Sequence, residues 1–511
     1  MHTRKYLPVV WFVLGFGMFM STRASHFIPH WGPAIIIAPV FILAFGRSLS
    51  SKRGILLTVA GFVVGLNVAM WRLYDVGDPV ATIALNVLRS SIQGALFSLP
   101  YIVDRLVYPR LERHKVLSTL SFPIAATAVH FLMSLEGPFD GDMVSGVYGM
   151  GGLAFKQIAS IVGLWGFVFV FSWFASVVNL AWEQGFAWRR IRYATLSLAL
   201  TVAGVFLFGA LKIAPAAHAE RDSVRVAAVF LLPDAGAEVD QVGLLSRALS
   251  PLEETITRID ALTEEAASDG AKIVAFQEAT LKIHETDEET VVERLSATAV
   301  EHGVYLGLGY GVIPEQGKGW NKAILISDRG TLELQYRKRY LLGLGDLFGE
   351  SIIYQKGPAV IQSVATPYGR IAVSVCRDMS FSPYARQAGA QHVDIMLSPS
   401  YDMPKSGGPV YALRAIENGF SMIRPVYNGY SYAVDYNGRL LAGMDSDDTG
   451  TGIMYADVPT KGVTTIYAQI GDLLGWLCVA GLLGSVVLHV VSSVRRRKTA
   501  SSAGGGRDPL S

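Results

Sequence analysis

The chain has 511 residues, of which 51% are hydrophobic and only 17% charged, where an ordinary soluble protein carries roughly 25% charged residues. Its 44 basic and 42 acidic residues nearly cancel, so no broad positive field exists to hold a polyanion and a nucleic-acid protein is disfavoured. Two cysteines exclude a disulfide scaffold, and 9 Trp, 21 Tyr and 24 Phe exclude a disordered chain.

Seven apolar stretches precede residue 216, near Tyr6 to Met20, Pro33 to Phe45, Ile55 to Met70, Val80 to Val103, Val116 to Leu135, Ile158 to Trp182 and Tyr193 to Leu211. Most approach the ~20 residues that cross a hydrocarbon core as a helix. The second is short and carries Pro33 and Pro39, although a start near Phe27 would lengthen it. Residues 1–215 are therefore expected to form seven spans, with Asn86, Arg89 and Gln93 polar inside the fourth and His130 inside the fifth. Such residues line a cavity or pair between helices, and for His130 an interhelical hydrogen bond is expected. An eighth span is expected from Leu473 to Val491, within 467–494, followed by a disordered Ser- and Gly-rich tail at 499–511.

Between 220 and 462 the texture changes to short apolar runs alternating with charged, periodic segments, the pattern of a soluble α/β domain. Val224 to Leu232, Ile273 to Phe276, Tyr305 to Tyr310, Ala323 to Ile326, Ile371 to Val375 and Ile395 to Leu397 read as strands. Thr290 to Glu301 and Ser250 to Ala267 read as helices, the latter with Ser250 as N-cap and Pro251 at the first helical position.

Basic residues fix an expected orientation, because loops kept in the cytoplasm are rich in Lys and Arg. Arg4, Lys5, Arg47, Lys52, Arg53, Arg105, Arg110, Arg113, Lys115, Arg189, Arg190, Arg192 and Arg495 to Lys498 all fall on one side of an eight-span arrangement. Both termini are then cytoplasmic, the first span is an uncleaved anchor, and the soluble domain faces the periplasm or exterior.

Cys376 is the soluble domain's one cysteine and follows an apolar run; Cys478 lies in the last span. A lone cysteine after a strand is more often core than nucleophile. Glu278, however, ends the run Ile273-Val-Ala-Phe-Gln-Glu278, and Lys338 ends Leu332 to Lys338 after the hairpin signal Asp328-Arg-Gly330. A thiol needs a base to become a thiolate and a cation to hold the oxyanion it generates, roles that Glu and Lys supply. Singly, Glu278 is explained as a helix N-terminal acid and Lys338 as part of a solvated edge.

Taken in order, Phe-Gln-Glu278, Tyr-Arg-Lys338 and Val-Cys376-Arg-Asp resemble the nitrilase superfamily, and a nitrilase domain between seven spans and one more resembles its membrane branch, the bacterial apolipoprotein N-acyltransferases. Trp320-Asn321, Arg414-Ala-Ile-Glu417-Asn-Gly419, and Arg424 with Asn428 and Gly429 fit later parts of the family pattern, as do Trp173 to Asn179 and Ile466 to Asp472 near the membrane. The resemblance implies an integral membrane helical bundle of eight spans, seven plus one, with an inserted α-β-β-α sandwich. It implies Cys376 as nucleophile, Glu278 as base and Lys338 as oxyanion stabiliser, with Asp346, Asp378, Asn321, Glu417 and Asn428 in support. The sequence departs from the pattern at Phe276-Gln277, at Gly343-Leu-Gly-Asp346 and at Ser400-Tyr-Asp-Met-Pro404.

The implied reaction moves an acyl chain from a phospholipid donor through a Cys376 thioester to the α-amine of a diacylglyceryl-modified apolipoprotein, catalysed by a monomer in the inner membrane. The loop Leu341 to Ile353 reads equally as a gating arm or as a plain connection. Rival readings are a membrane-tethered amidase, an acyltransferase paralogue with another acceptor, a non-catalytic sensor and a transporter. The ten scattered His residues suggest no metal site, and Gly149-Met-Gly-Gly152 and Gly343-Leu-Gly345 lack a phosphate-loop context, so no cofactor is expected.

Overall fold

The computed structural model describes residues 3–23, 30–71, 78–136, 139, 141–214, 222–232, 249–344, 348–402, 408–445 and 450–504. Its apolar part is built from the helices Thr3–Ser21, Ala34–Ser48, Ser51–Ala69, Pro79–Leu111, Lys115–Leu135, Trp165–Glu183, Trp188–Lys212 and Leu473–Gly504. Six of these are long and apolar enough to cross a membrane. Tyr6–Ser21 and Ala34–Ser48 are shorter apolar helices; among the described residues length and hydropathy thus support six spans and do not confirm the count of eight. The suggested start near Phe27 lies outside the described residues.

Two other expectations are corrected. The sixth stretch is not one helix from Ile158, because Ala159–Val162 ends at Gly163 and the long helix begins at Trp165. Gly163 has φ +66° and ψ −171°, a conformation open almost only to glycine, and a Cβ there would meet the Tyr467 ring at 2.5 Å. The last helix, in turn, runs on to Gly504 through residues expected to be disordered.

The soluble part stacks two sheets. The first has strand order Gly452–Pro459, Ser223–Phe230, Ile273–Phe276, Tyr305–Ile313, Trp320–Ile326 and Leu332–Arg337, with Leu281–His284 pairing alongside Tyr305–Ile313. The second has the order Leu440–Asp445, Tyr430–Val434, Ser421–Arg424, Ile395–Leu397, Gly369–Val373 and Ser363–Thr366. Side chains alternate across the first sheet as the pleat requires. Val224, Val226 and Ala228 share a core with Ile371, Val373 and Leu397 of the second sheet. Ala227 and Val229 instead pack with Ile256 and Ile259 of the helix Leu252–Ser268 and with Val291 and Leu295 of Glu288–His302. The helices Ser382–Ala390 and Ala412–Asn418 cover the second sheet through Ala385, Ala388, Leu413 and Ile416, which completes the four layers.

Ser250 does not cap the helix that follows. Its hydroxyl accepts the Lys282 N–H at 2.9 Å while its own N–H donates to the Lys282 carbonyl, so the helix starts one residue later with Pro251 at the cap.

Polar bonds dock this sandwich on the apolar helices. Arg414 is wholly buried and binds Asp142, Tyr148 and Glu417. Glu417 accepts the Leu164 N–H at 2.7 Å, Asp142 accepts the Ser382 N–H at 3.1 Å, and Trp165 Nε1 donates to Asp472 at 2.9 Å. Burial pushes the Asp142 carboxyl up to about 6 and that of Glu417 up to about 8, with Arg414 pulling both the other way.

Within the helical bundle, Asn86 donates to the Thr82 carbonyl and Arg89 to Gln93. His130 departs from expectation, since its buried Nδ1 has no hydrogen-bond partner among the described residues and its ring meets Phe97 edge-on.

Candidate active site

Glu278 lies just beyond the strand Ile273–Phe276, Lys338 just beyond Leu332–Arg337, and Cys376 at the start of the 3-10 turn Cys376–Ser380 that follows Gly369–Val373. Strand ends free side chains from the sheet pleat, so residues remote in sequence converge there. The neighbouring strand makes room. Gly309 has no side chain where a Cβ would strike Glu278 Cα at 2.7 Å. Cys376 itself has φ +48°, an uncommon conformation for a residue with a Cβ.

Lys338 Nζ donates to Glu278 Oε1 at 2.7 Å and to Glu350 Oε1 at 2.8 Å, and all three side chains are buried. Asn321 Nδ2 also donates to Glu278 Oε1 at 2.7 Å. The other Glu278 oxygen accepts the Tyr401 N–H at 3.0 Å. The Cys376 thiol faces the Tyr401 carbonyl at 3.5 Å and Asp402 Oδ1 at 3.9 Å, and Arg424 holds that same Asp402 oxygen at 2.8 Å.

The charges couple. Burial raises the Glu278 carboxyl, with Glu350 adding and Lys338 opposing. Burial works against the Lys338 ammonium, but Glu278 and Glu350 hold it well above its ordinary range. The Cys376 thiol is pushed up by burial and by Glu278, against the pull of Lys338. A resting neutral thiol beside a carboxylate base and a fixed cation is the arrangement that nucleophilic acyl chemistry requires.

The remaining sequence candidates take varied places. Asp378 is buried and accepts the Arg339 N–H at 3.0 Å, the Tyr340 N–H at 2.6 Å and the Tyr336 hydroxyl, fixing the backbone just after Lys338 and the side chain two residues before it. Asn428, at φ +60°, donates to the Asp402 carbonyl at 3.2 Å. Glu417 is not in this cluster; its bonds go to Arg414 and Leu164 at the docking face. Asp346 lies outside the described residues.

Besides Glu278, Lys338 meets Glu350, twelve residues further along the chain, which also accepts the Leu342 N–H at 2.8 Å. Sequence reasoning missed it, and its one signal was an isolated carboxylate in the apolar, Gly-rich run 341–353. Asp402 and Tyr401 were seen only as departures from a family pattern, and yet they are the thiol's neighbours.

Residues 242–467 match the carbon-nitrogen hydrolase family. The chain is 28% identical over 246 residues to an omega-amidase of Homo sapiens, covering 42% of this chain and 87% of that one. It is 23% identical over 382 residues to an apolipoprotein N-acyltransferase of Shewanella oneidensis, covering 67% of each. A solved amidase from Nesterenkonia sp. aligns at 19% identity and a TM-score of 0.39, over 49% of this chain and 94% of the other.

Proposed function

From the premise that residues 242–467 carry a carbon-nitrogen hydrolase domain and that this domain is docked on apolar helices, we propose that the chain is an N-acyltransferase of lipoproteins. The observation that carries this reading is the extent of the likeness. The acyltransferase relative aligns over 382 residues, far more than the soluble domain contains, whereas the human amidase aligns over 246. An amidase acting on soluble substrates has no need of the apolar helices; an enzyme using lipid does, because its donor ester stays at the membrane surface.

The reaction proceeds in two exchanges. Glu278 takes the thiol proton, and the Cys376 sulfur attacks the ester carbonyl of a phospholipid while Lys338 stabilises the oxyanion. The carbon–oxygen bond breaks, Glu278 returns the proton to the leaving lysophospholipid, and a thioester remains. The α-amine of a diacylglyceryl-modified cysteine then attacks the thioester carbon and gives its proton to Glu278. As the carbon–sulfur bond breaks the thiol is reprotonated, leaving an N-acylated lipoprotein. The site faces the outside of the inner membrane, and one chain suffices.

Intact mass of the full-length protein after incubation with phospholipid tests the first exchange. One acyl chain is added to the wild type and none to Cys376→Ala; an adduct on Cys376→Ala would reject the nucleophile. The amidase relatives support a second reading, a membrane-tethered hydrolase. Fatty acid or ammonia released with no amine acceptor present favours it.

A further inference from the structure

A cavity of about 270 Å³ lies where the helix Trp188–Lys212 meets the soluble domain. It has room for several waters at their ~30 Å³ share of liquid volume. Phe208 and Lys212 line it from that helix, Ser160 from the turn Ala159–Val162, and Asn437, Thr464 and Ile466 from the other side.

The Lys212 ammonium is buried and has no hydrogen-bond partner among the described residues. Asp435 attracts it, but its Oδ1 accepts the N–H groups of Asn437 at 2.8 Å and Arg439 at 2.9 Å, and among the described residues no ion pair joins it to Lys212. A second cation stands at the rim, where Arg439 donates to the Ile213 carbonyl at 3.2 Å. An uncompensated buried ammonium is costly, and an ionisable residue at the end of a membrane helix marks a site whose partner must be named.

The neighbours indicate that partner. Ile466 lines the cavity and is half exposed, and Leu207 and Leu211, each one residue before Phe208 and Lys212, are exposed on the same helix, an apolar surface that suits acyl chains. The Thr464 hydroxyl, 3.4 Å from His392 Nδ1, is able to turn and donate inward. Ser160 gives its proton to the Gln157 carbonyl at 2.8 Å and so offers only an acceptor, which fits a hydroxyl on a headgroup.

We propose that this cavity binds a phosphate diester, held by Lys212 and Thr464, and that its source is an anionic phospholipid with its chains along Leu207 and Leu211. The site shares no residue with the Cys376 cluster. It presupposes that the helix lies in a membrane and does not depend on acyl transfer.

Native mass spectrometry of the full-length protein in detergent, with added phosphatidylglycerol, tests it. The wild type, with Cys376 alkylated beforehand so that it cannot take an acyl chain, is expected to retain one lipid, and the variants are compared in the same alkylated state. Lys212→Met lowers that occupancy at least tenfold; Lys212→Arg retains it, as does Lys272→Met, which removes the same charge from an exposed position. Alkylation of Cys376 at the wild-type rate verifies that Lys212→Met is folded. Displacement of the lipid by millimolar inorganic phosphate keeps the phosphate chemistry and assigns the site to the free anion, whereas lack of displacement assigns it to the lipid. Equal lipid occupancy in Lys212→Met and wild type overturns the proposal.

Discussion

The Lys338 ammonium sits 2.7 Å from the Glu278 carboxylate, and water reaches neither side chain. The cation lowers the pKa of its neighbouring acid, and in the proposed reaction it also stabilises the oxyanion. Lys338→Met is expected to lower turnover by about 10²–10³-fold, the usual loss on removing one oxyanion donor. Since Lys338 pulls the Glu278 pKa down, its removal moves the acid limb of the remaining kcat/KM profile to higher pH. A profile that falls in height without moving would separate the two effects and reject the electrostatic one.

Glu350→Gln leaves the Lys338–Glu278 bond in place but removes a charged acceptor from Lys338 and from the Leu342 N–H. Hydrogen bonds to charged groups are worth about 1.5–3 kcal/mol, so kcat is expected to fall by roughly 10–100-fold. KM should change little, because Glu350 is buried behind the lysine. Steady-state kinetics on a soluble ester or amide check this.

Asp378→Ala strands two backbone donors at once, the N–H groups of Arg339 and Tyr340, and leaves the Tyr336 hydroxyl with Tyr384 alone. A cost of about 1–3 kcal/mol is expected for each buried group left unpaired, read as a lower midpoint of thermal unfolding. Asp378→Asn, which keeps one acceptor oxygen, should recover part of the loss.

The docking face is expected to weaken as pH rises. In the folded chain Asp142 and Glu417 titrate at about 6 and about 8, above their unfolded values of 3.8 and 4.5. The folded state therefore holds protons that the unfolded chain has released. Their contribution is complete below about pH 4 and is lost as pH climbs through 6 and then 8. Unfolding midpoints measured from pH 5 to 9 should fall across that window, and Glu417→Gln should remove the upper part of the fall.

Gly163→Ala forces a Cβ into a conformation reserved for glycine and into the Tyr467 ring. A loss of about 1–3 kcal/mol is expected from the backbone alone, read as a lower midpoint of thermal unfolding.

The strands were legible wherever apolar runs stood between turns: Ile273–Phe276 and Ile395–Leu397 match the sequence reading residue for residue. Helix ends were less so. Ser250 looked like a cap but spends its hydroxyl on a strand, a tertiary choice that local pattern does not contain. The break at Gly163 was hidden because hydropathy averages over backbone conformation. Glu278, Lys338 and Cys376 stood out as ionisable residues at the ends of expected strands, whereas Glu350 did not, since its meaning depends on a short hairpin, Gly343–Leu344 with Phe348–Gly349, that folds the chain back on Lys338.

The strands Ser223–Phe230 and Gly452–Pro459 are the two ends of the soluble domain, and they pair side by side from Ser223 opposite Pro459 to Phe230 opposite Gly452. Entry and exit thus share one doorstep. To the flanking helices the whole catalytic sandwich is topologically no more than a long loop, whose closure is secured by its own first and last strands. Such a unit is able to be inherited, lost or exchanged as a cassette without rethreading the bundle that carries it.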